Sequence, residues 1–298
     1  MTARLRLLAP AEWPAWGGFV AQHNRRADGR VRCLHSEQGD NADSHAAELR
    51  RLAADAAVFA VAEADDGSPL GWIGAEIDAA AGRAWLRGPL AAVPGGDLPA
   101  ALIGHLLQAT PALRRFDAFP QVDEAALVQP CLQAGFTTRA TFHVMRADTA
   151  PDLAAQAAHQ AIGALQADAP VLPDLLALHD RLFPATYLRG DALPASLDAD
   201  HRLYAAVQDG RLGGYVYVQH RRDDNEGYVD YLGVAEHTRG QGLGRALLLH
   251  ALQWSLGERG LPCVHLTVRS DSAPALGLYR SAGFREVAAG LQLCLERP

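Results

Sequence analysis

Residues Tyr228–Leu256 read YVDYLGVAEHTRGQGLGRALLLHALQWSL, and this stretch decides the fold of the second half of the chain. Its first seven residues are mostly aromatic, β-branched or apolar, which is typical of a buried strand. Three glycines follow at alternate positions, 240, 242 and 244, and the apolar residues after them cover about four helical turns. The stretch therefore predicts a strand, a glycine turn and a helix.

The glycine turn is suited to binding phosphate. Backbone N–H groups in the first turn of a helix have no partner inside the helix and lie at the positive end of its dipole. Glycine leaves these groups uncovered because it has no Cβ, and Arg239 adds a positive charge where the turn begins. On its own, the pattern also fits a strand–helix connection that binds no ligand.

Two familiar phosphate-binding motifs do not fit this turn. A mononucleotide P-loop needs a Lys directly after its last glycine, and none is present. A dinucleotide fingerprint needs G-x-G-x-x-G and an acid at the end of the next strand. Here the spacing is G-x-G-x-G, and the next predicted strand, Cys263–Val268, contains no acid.

The remaining pattern, R-x-x-G-x-G after a strand, resembles the pyrophosphate-binding motif of the GNAT superfamily of acyl-CoA N-acyltransferases. A second stretch, Val268–Phe284 (VRSDSAPALGLYRSAGF), is similar to that family's other signature, in which a polar residue caps a short helix that carries Leu-Tyr before Gly-Phe. Ser272 stands where the family most often has Asn. The resemblance implies acetyl-CoA (coenzyme A) as co-substrate, bound by Leu232, Val234, Arg239, Gly240, Gln241, Gly242, Leu243, Gly244 and Ser272.

Acyl transfer to an amine requires a base, because an amine with a pKa of about 10.4 is almost fully protonated at neutral pH. Asp230 is the candidate base, since GNAT relatives often carry an acid at this place on the strand. Strand alternation predicts that Asp230 lies on the same face as Leu232 and Val234, with Glu226 further out. The alternative for Asp230 is a strand-edge carboxylate that pairs with an arginine.

The second catalytic candidate is Tyr279, which resembles the family's usual acid and would protonate the departing thiolate. Its alternative role is that of a core aromatic residue on a short amphipathic helix. The resemblance also implies that a backbone N–H between Leu232 and Val234 stabilises the oxyanion. Cys263 has no His or acid placed beside it in the predicted strand, so we expect no thiol nucleophile.

The two halves of the chain repeat the same order of predicted elements. Ala-Gly-Phe at Ala134–Phe136 recurs at Ala282–Phe284, a shift of 284 − 136 = 148 residues. With the GNAT resemblance, this repeat predicts an α/β fold (α+β, mixed sheet) of two tandem GNAT-like domains, each a central mixed β-sheet flanked by helices. We place the domains at residues 1–147 and 157–298, joined by a linker at Ala147–Gln156.

The first domain is expected to be degenerate and without a cofactor site. The counterpart of the glycine turn, Ala91–Ala100, has no Arg, and Asp97 would repel phosphate. The position that corresponds to Tyr279 is Cys131. Within this domain, we predict a helix over Pro10–Gln22 and a surface loop over Asp28–His45.

Composition narrows the functional classes. The net charge of −7 argues against nucleic acid as a partner. Four widely spaced cysteines without a C-x-x-C pair are typical of reduced thiols, and no apolar run is long enough for a signal peptide or a membrane helix, so we expect a cytoplasmic protein. No H-E-x-x-H is present, and no metal site is expected. We expect a monomer or a homodimer.

Two functions remain open. The first is an N-acetyltransferase (GNAT-type, acyl-CoA dependent) that moves the acetyl group directly to the amine of a small molecule in a ternary complex. The alternative is a non-catalytic acyl-CoA-binding or regulatory protein, which needs only the phosphate-binding turn. The resemblance implies that the acceptor contacts the loop Phe183–Leu197. Tyr187 and Arg189 are candidate contacts in this loop, and the alternative is that both are only solvated.

Overall fold

A computed structural model describes residues 3–27, 31–34, 42–52, 56–151, 162–184, 186, 188–222 and 224–298. The strands within these residues are β1 Arg4–Leu7, β2 Ala57–Glu63, β3 Pro69–Asp78, β4 Arg83–Ala91, β5 Arg115–Ala118, β6 Thr137–Ala147, β7 Ile162–Ala164, β8 His201–Gln208, β9 Arg211–Arg221, β10 Glu226–Val234, β11 Val264–Arg269 and β12 Arg285–Glu296. The α-helices are α1 Gly17–Asn24, α2 Ala42–Arg51, α3 Leu98–Ala109, α4 Ala125–Gln133, α5 Leu172–Leu182, α6 Leu243–Leu252 and α7 Ala273–Ser281.

The chain forms two compact units, Met1–Phe142 with Ala288–Pro298, and His143–Val287. The first unit contains a sheet in the order β1-β2-β3-β4-β5-β12, and the second contains β11-β10-β9-β8-β7 with the end of β6 beside β11. Each sheet is mixed, because β4 pairs with β5 and β10 pairs with β11 in parallel while the other registered pairs are antiparallel. The predicted α/β fold with mixed sheets and flanking helices is confirmed.

The second unit has a hydrophobic core on each face of its sheet. On one face, α6 and α7 pack against alternate residues of β9, β10 and β11, and Leu247, Leu248 and Val264 are fully buried there. On the other face, α5 packs against a cluster that includes Tyr215, Tyr217 and Tyr231. The period of 3.6 in the helices and of 2 in the strands therefore divides these side chains as the sequence pattern requires.

The first unit has the same arrangement. Helices α3 and α4 cover one face, where Leu102, Ile103 and Phe116 are fully buried. The N-terminal helical segment and α2 cover the other face, where Trp13, Phe59 and Trp72 pack ring against ring.

The repeated Ala-Gly-Phe is the same helix end in both units. Gly135 follows α4 with φ 94°, and Gly283 follows α7 with φ 95°. In each case, the Phe N–H donates to the carbonyl five residues earlier at 3.0 Å, and the Phe ring is buried. Glycine is favoured here because a left-handed residue ends the helix and turns the chain back to the sheet.

Two local predictions for the first unit need correction. The expected helix over Pro10–Gln22 is a 3₁₀ helix over Pro10–Trp16 followed by α1, since Pro14 lacks the N–H that an α-helix interior needs. The expected loop Asp28–His45 is wrong at residues 42–45, where α2 begins, and its residues 28–30 and 35–41 lie outside the described part of the chain.

The compact units also differ from the division drawn from the sequence. Ala288–Pro298 belongs to the first unit, because β12 pairs with β5 from Leu293–Ala118 to Glu296–Arg115. The end of β6, by contrast, belongs to the second unit. Of the expected linker Ala147–Gln156, residues 152–156 lie outside the described residues.

A test of the core model uses two leucines that differ in burial. Leu247 on α6 is fully buried, so Leu247→Ala should lower the free energy of unfolding by about 2–5 kcal/mol in denaturant titrations. Leu132 on α4 is 40% exposed, and Leu132→Ala should change it by less than about 0.5 kcal/mol. Equal losses in the two variants would contradict the assigned core.

Candidate functional site

Strand β10 diverges from β11 partway along its length. Parallel pairing with β11 covers Gly227–Val264, Tyr228–His265 and Val229–Leu266 and then ends. Antiparallel pairing with β9 continues to Val234. Because successive N–H groups of a strand point to opposite edges, the segment Leu232–Val234 directs backbone donors and acceptors toward the side that β11 has left.

Asp230 is the extra residue of a β-bulge. The register with β9 passes from Val229–Val218 to Tyr231–Tyr217, so two residues of β10 occupy the space of one. Val229 and Leu232 both pack toward α6, whereas Tyr231 packs toward α5. The bulge thus reverses the alternation that an uninterrupted strand would have.

The predicted orientation of Asp230 is therefore wrong. Its carboxylate accepts a hydrogen bond from Gln219 Nε2 at 2.7 Å, on the face of β9 that carries Tyr217. Leu232 and Val234 contact the core on the opposite face. Asp230 and Tyr231 are neighbours on the α5 face, which a strict two-residue period cannot produce.

The glycine turn has the geometry that its sequence predicts. Gly240 and Gly242 have φ values of 75° and 79°, in the region that favours glycine, and a Cβ at either position would meet no atom within 4 Å. Gly244 differs, because its Cβ would lie 3.3 Å from Leu278 and 3.4 Å from Val234. The first two glycines shape an open turn, and Gly244 permits close packing of α6 on β10 and α7.

Backbone donors are available where α6 begins. Its first helical hydrogen bond runs from Ala246 N–H to Gly242 O at 3.1 Å, so the N–H groups of Leu243 and Gly244 have no partner inside the helix. The Leu243 side chain is buried and anchors this end of the helix. The Arg239 side chain is exposed beside the turn, which makes the local potential positive.

Side chains around the turn fix its position. Thr238 Oγ1 donates a hydrogen bond to Gly213 O at 2.6 Å, and Gln241 Nε2 donates to His237 O at 3.0 Å. A cavity of about 430 Å³ adjoins the turn, lined by Gln208, Asp209, Arg211, Gly213, His237, Thr238 and Gln241. The structure thus provides space for a ligand beside the predicted phosphate-binding residues.

Tyr279 on α7 lies on the α6 side of the sheet. Its ring packs edge-on against the ring of Phe284, with 6.0 Å between the ring centroids. Its hydroxyl makes no hydrogen bond to the described residues. Burial raises the pKa of Tyr279 to about 12, so the phenol stays protonated at neutral pH. Ser272 precedes α7 as its N-cap residue, although its side chain makes no capping hydrogen bond.

An aromatic, hydrogen-bonded cluster covers the α5 face near Asp230. The buried His179 donates a hydrogen bond from Nε2 to Leu188 O at 2.8 Å, and its Nδ1 hydrogen-bonds Tyr215 Oη at 2.7 Å. Tyr217 Oη donates to Ser196 Oγ at 2.8 Å, and Tyr231 Oη hydrogen-bonds Thr186 Oγ1. The expected acceptor loop thus packs on this face through residues that sequence reasoning did not select.

The charge of Asp230 affects the pKa of a tyrosine in this aromatic cluster. Burial, with a smaller contribution from the charge of Asp230, raises the pKa of Tyr217 to about 12, although its hydrogen bond to Ser196 opposes the shift. Arg189, one of the two candidate contacts, forms a salt bridge with Asp191 in which both side chains are more than 70% exposed, as its alternative role of a solvated residue requires. Tyr187 lies outside the described residues.

The environment of Cys263 also corrects the sequence interpretation. His265 Nδ1 lies 4.0 Å from Cys263 Sγ and 2.7 Å from Glu226 Oε2. A His and an acid are therefore beside this thiol, contrary to expectation. The two-residue strand period places His265 on the same side as Cys263, and the parallel neighbour β10 supplies Glu226.

Comparisons with known proteins identify the family. The model of the acetyltransferase (GNAT) family matches residues 172–284. A mycothiol acetyltransferase of Nocardioides sp. is 30% identical over 284 residues, which cover 81% of this chain and 95% of the relative. The chain belongs to the GNAT acetyltransferase family. The prediction of a GNAT-type acyltransferase is confirmed at that level.

Other relatives match a shorter part of the sequence. A mycothiol acetyltransferase of Clavibacter michiganensis is 44% identical over 90 residues, which is 30% of this chain and 28% of that protein. A streptothricin acetyltransferase of Streptomyces lavendulae is 38% identical over 88 residues, which is 29% of this chain and 46% of that protein. The chain thus spans less than half the length of these two relatives.

Solved structures match the GNAT chain over its whole length. A GCN5-related N-acetyltransferase from Sphaerobacter thermophilus has a TM-score of 0.72 at 21% identity, and the match covers 99% of this chain and 96% of that protein's chain. A tandem GNAT protein from the clavulanic acid biosynthesis pathway has a TM-score of 0.68 at 17% identity, with coverage of 100% and 99%. These likenesses confirm the tandem GNAT-like fold. No helix within the described residues is long and apolar enough to cross a membrane.

Charge placed in the glycine turn should prevent cofactor binding. Gly242→Asp adds a carboxylate beside the amides of α6, and we expect calorimetry to detect no binding of coenzyme A. Gly242→Asn has the same size and the same tolerance of a left-handed conformation as Gly242→Asp, and it should bind more tightly because it adds no negative charge.

The matched control is Gly260→Asp. Gly260 has φ 66° and an equally open Cβ position, but it lies before β11 rather than after β10. We expect its affinity for coenzyme A to equal that of the wild type. Unaltered affinity in Gly242→Asp would contradict the assignment of the turn.

Proposed function

We propose that the second unit transfers an acetyl group from acetyl-CoA directly to the amine of a small molecule in a ternary complex. The divergence of β10 from β11 after Val229, directly before the glycine turn, is the observation that carries this proposal. It leaves a backbone edge that an extended chain can pair with, and the turn beyond it can receive a diphosphate. Acyl-CoA has both parts, an amide-containing arm and a diphosphate.

The residues present fit such a co-substrate. The N–H groups at the start of α6 and the Arg239 side chain would bind the diphosphate, and the cavity beside Gln241 offers space next to it. The backbone from Leu232 to Val234 would bind the amide-containing arm. An N–H at the same edge would hydrogen-bond the thioester oxygen and stabilise its developing charge. Ser272, at the start of α7, would contact the cofactor from the neighbouring helix.

Asp230 is suited to remove a proton from the acceptor. The bulge directs its carboxylate to the aromatic α5 face, and Gln219 orients it through the hydrogen bond at 2.7 Å. An acidic group against tyrosines favours a cationic amine, which must lose a proton before it attacks. Relatives named for mycothiol and streptothricin support a small-molecule acceptor over a protein.

Tyr279 is suited to protonate the departing thiolate. Its phenol has a raised pKa of about 12, is therefore protonated at neutral pH, and has no hydrogen-bond partner among the described residues that would hold the proton elsewhere. A binding protein without turnover would need only the glycine turn. The presence of Asp230 and Tyr279 favours the enzyme over the non-catalytic alternative.

The first unit, residues 1–147 in the sequence division, is proposed to lack this chemistry. The parallel pairing of β4 with β5 ends at Leu86–Ala118, and that of β10 with β11 ends at Val229–Leu266. The next residue along the strand is Arg87 in the first unit and Asp230 in the second, so Arg87 occupies the place of Asp230. Arg87 is buried and forms ion pairs with Glu48 and Glu76. A paired arginine cannot act as a base.

Removal of the Tyr279 hydroxyl should slow chemistry without weakening cofactor binding. Tyr279→Phe keeps the ring contact with Phe284, and we expect kcat for thiol release from acetyl-CoA to fall by about 10²-fold or more. The KM for acetyl-CoA should change little. Tyr204→Phe, a half-buried tyrosine on β8, serves as the control. Turnover unchanged in Tyr279→Phe would remove this residue as the acid.

Replacement of Asp230 should make the rate dependent on amine that is already deprotonated. Asp230→Asn can still accept the Gln219 hydrogen bond, so we expect a folded variant whose kcat/KM is lower by about 10²-fold at neutral pH. Its rate should then rise with pH toward the pKa of the amine. A pH profile equal to the wild type would contradict a base at Asp230, and tight acetyl-CoA binding without turnover in the wild type would favour the non-catalytic alternative.

A further inference from the structure

Three potential metal ligands meet at the beginning of β10 and β11. Glu226, Cys263 and His265 each offer one ligand atom, and these atoms lie within 4.8 Å of one another. Cys263 is buried, while Glu226 and His265 are half-buried. Within the described part of the chain, this is the group of His, Cys and acidic residues whose spacing fits a bound ion.

Strand pairing, and not loop geometry, holds the group together. Gly227 N–H donates to Cys263 O at 2.9 Å, and the parallel register then pairs Tyr228 with His265. Cys263 and His265 are two residues apart and share one face, whereas Val264 between them is fully buried in the α6 core. Glu226 and His265 lie on strands, and Cys263 directly precedes β11, so all three are positioned more accurately than ligands on a free loop would be.

The His265 ring presents one nitrogen to both partners. Nδ1 lies 2.7 Å from Glu226 Oε2 and 4.0 Å from Cys263 Sγ. An ion between the three groups would need the carboxylate to move outward by about 1 Å, because ligand atoms around a tetrahedral ion with bonds of about 2.0–2.3 Å lie further apart than a hydrogen bond. Arg221 Nη1, 3.9 Å from Glu226 Oε1, supports that carboxylate from the other side.

We propose that Glu226, Cys263 and His265 bind a zinc ion. One sulfur, one imidazole nitrogen and one carboxylate oxygen suit Zn²⁺, whereas Mg²⁺ and Ca²⁺ prefer oxygen ligands alone. Binding replaces the protons on Cys263 Sγ and His265 Nδ1, and water completes the coordination. No electron transfer is involved.

Without a metal, the cluster is held together by an ion pair between His265 and Glu226, and a test must distinguish this form from the zinc-bound form. Burial lowers the pKa of His265, but hydrogen bonds to Cys263 and Glu226 outweigh it and raise the pKa to about 9. Without a metal, an imidazolium–carboxylate pair therefore joins the two strands. Zinc would join the same strands through bonds to all three side chains.

This site is separate from the proposed catalytic residues. Glu226 precedes Asp230 by four residues on β10, which is about 13 Å along an extended strand. The cluster lies where β10 and β11 are paired, and the proposed reaction lies beyond the point where they diverge. The proposal is therefore independent of the proposed function.

Cobalt(II) tests the site, because a thiolate bound to Co²⁺ gives a charge-transfer absorption band. Protein stripped with a chelator and titrated with Co²⁺ alone should show this band at one ion per chain, and Zn²⁺ should remove it by displacement. Cys263→Ser should abolish the band. Cys294→Ser, at a buried cysteine of the first unit, should retain it.

Two histidine variants provide a second test that leaves Cys263 unchanged. His265→Gln should weaken Zn²⁺ binding by about tenfold or more in calorimetry and remove the rise in Tm that Zn²⁺ causes in the wild type. His250→Gln, on α6, should change neither. Circular dichroism without metal verifies that each variant is folded.

The outcomes are decisive in both directions. Absence of the Co²⁺ band in the wild type, its persistence in Cys263→Ser, or equal Zn²⁺ affinity in His265→Gln and the wild type would each overturn the proposal. If Cys263→Ser does not fold, His265→Gln and Glu226→Gln carry the test, since both keep a side chain of similar size.

Discussion

Strand β10 changes neighbours along its length, and the chemistry proposed for the second unit depends on that change. Up to Val229 it has a partner on each side, whereas beyond Val229 the registered partner is β9 alone. The bulge at Asp230 lies where the parallel pairing stops. Bulges bend a strand and redirect a side chain, so one distortion accounts both for the open edge and for a carboxylate on the aromatic α5 face.

The two faces of β10 support different parts of the proposed site. The α6 face is apolar and fixes the start of α6, where N–H groups without a helical partner and positive-φ glycines form the turn proposed to bind the diphosphate. The α5 face carries tyrosines whose hydroxyls hold the loop after α5 through Thr186 and Ser196. Cofactor and acceptor would thus approach the open edge from surfaces that are independently supported, which lets acceptor preference change without disturbing the cofactor turn.

The two units keep the same framework but differ in their reactive groups. Both end a helix with a left-handed glycine and a buried Phe, and both contain one short parallel pair. At the place of Asp230 the first unit has Arg87, whose charge two buried or half-buried glutamates neutralise. We propose that these ion pairs keep the first unit folded and that this unit lacks the base that Asp230 would supply in the second, as expected when a duplicated domain retains its packing but not its reaction.

Local patterns in the sequence determined the strands, most helices, the glycine turn and the repeated Ala-Gly-Phe, because periodicity and left-handed glycines act within a few residues. The GNAT resemblance added the candidate roles of Asp230 and Tyr279. The tertiary structure alone decided the bulge that turns Asp230 away from Leu232, the assignment of Ala288–Pro298 to the first unit, and the meeting of Glu226 with Cys263 and His265. These features depend on which strands pair and in what register, and residues distant in sequence set that choice.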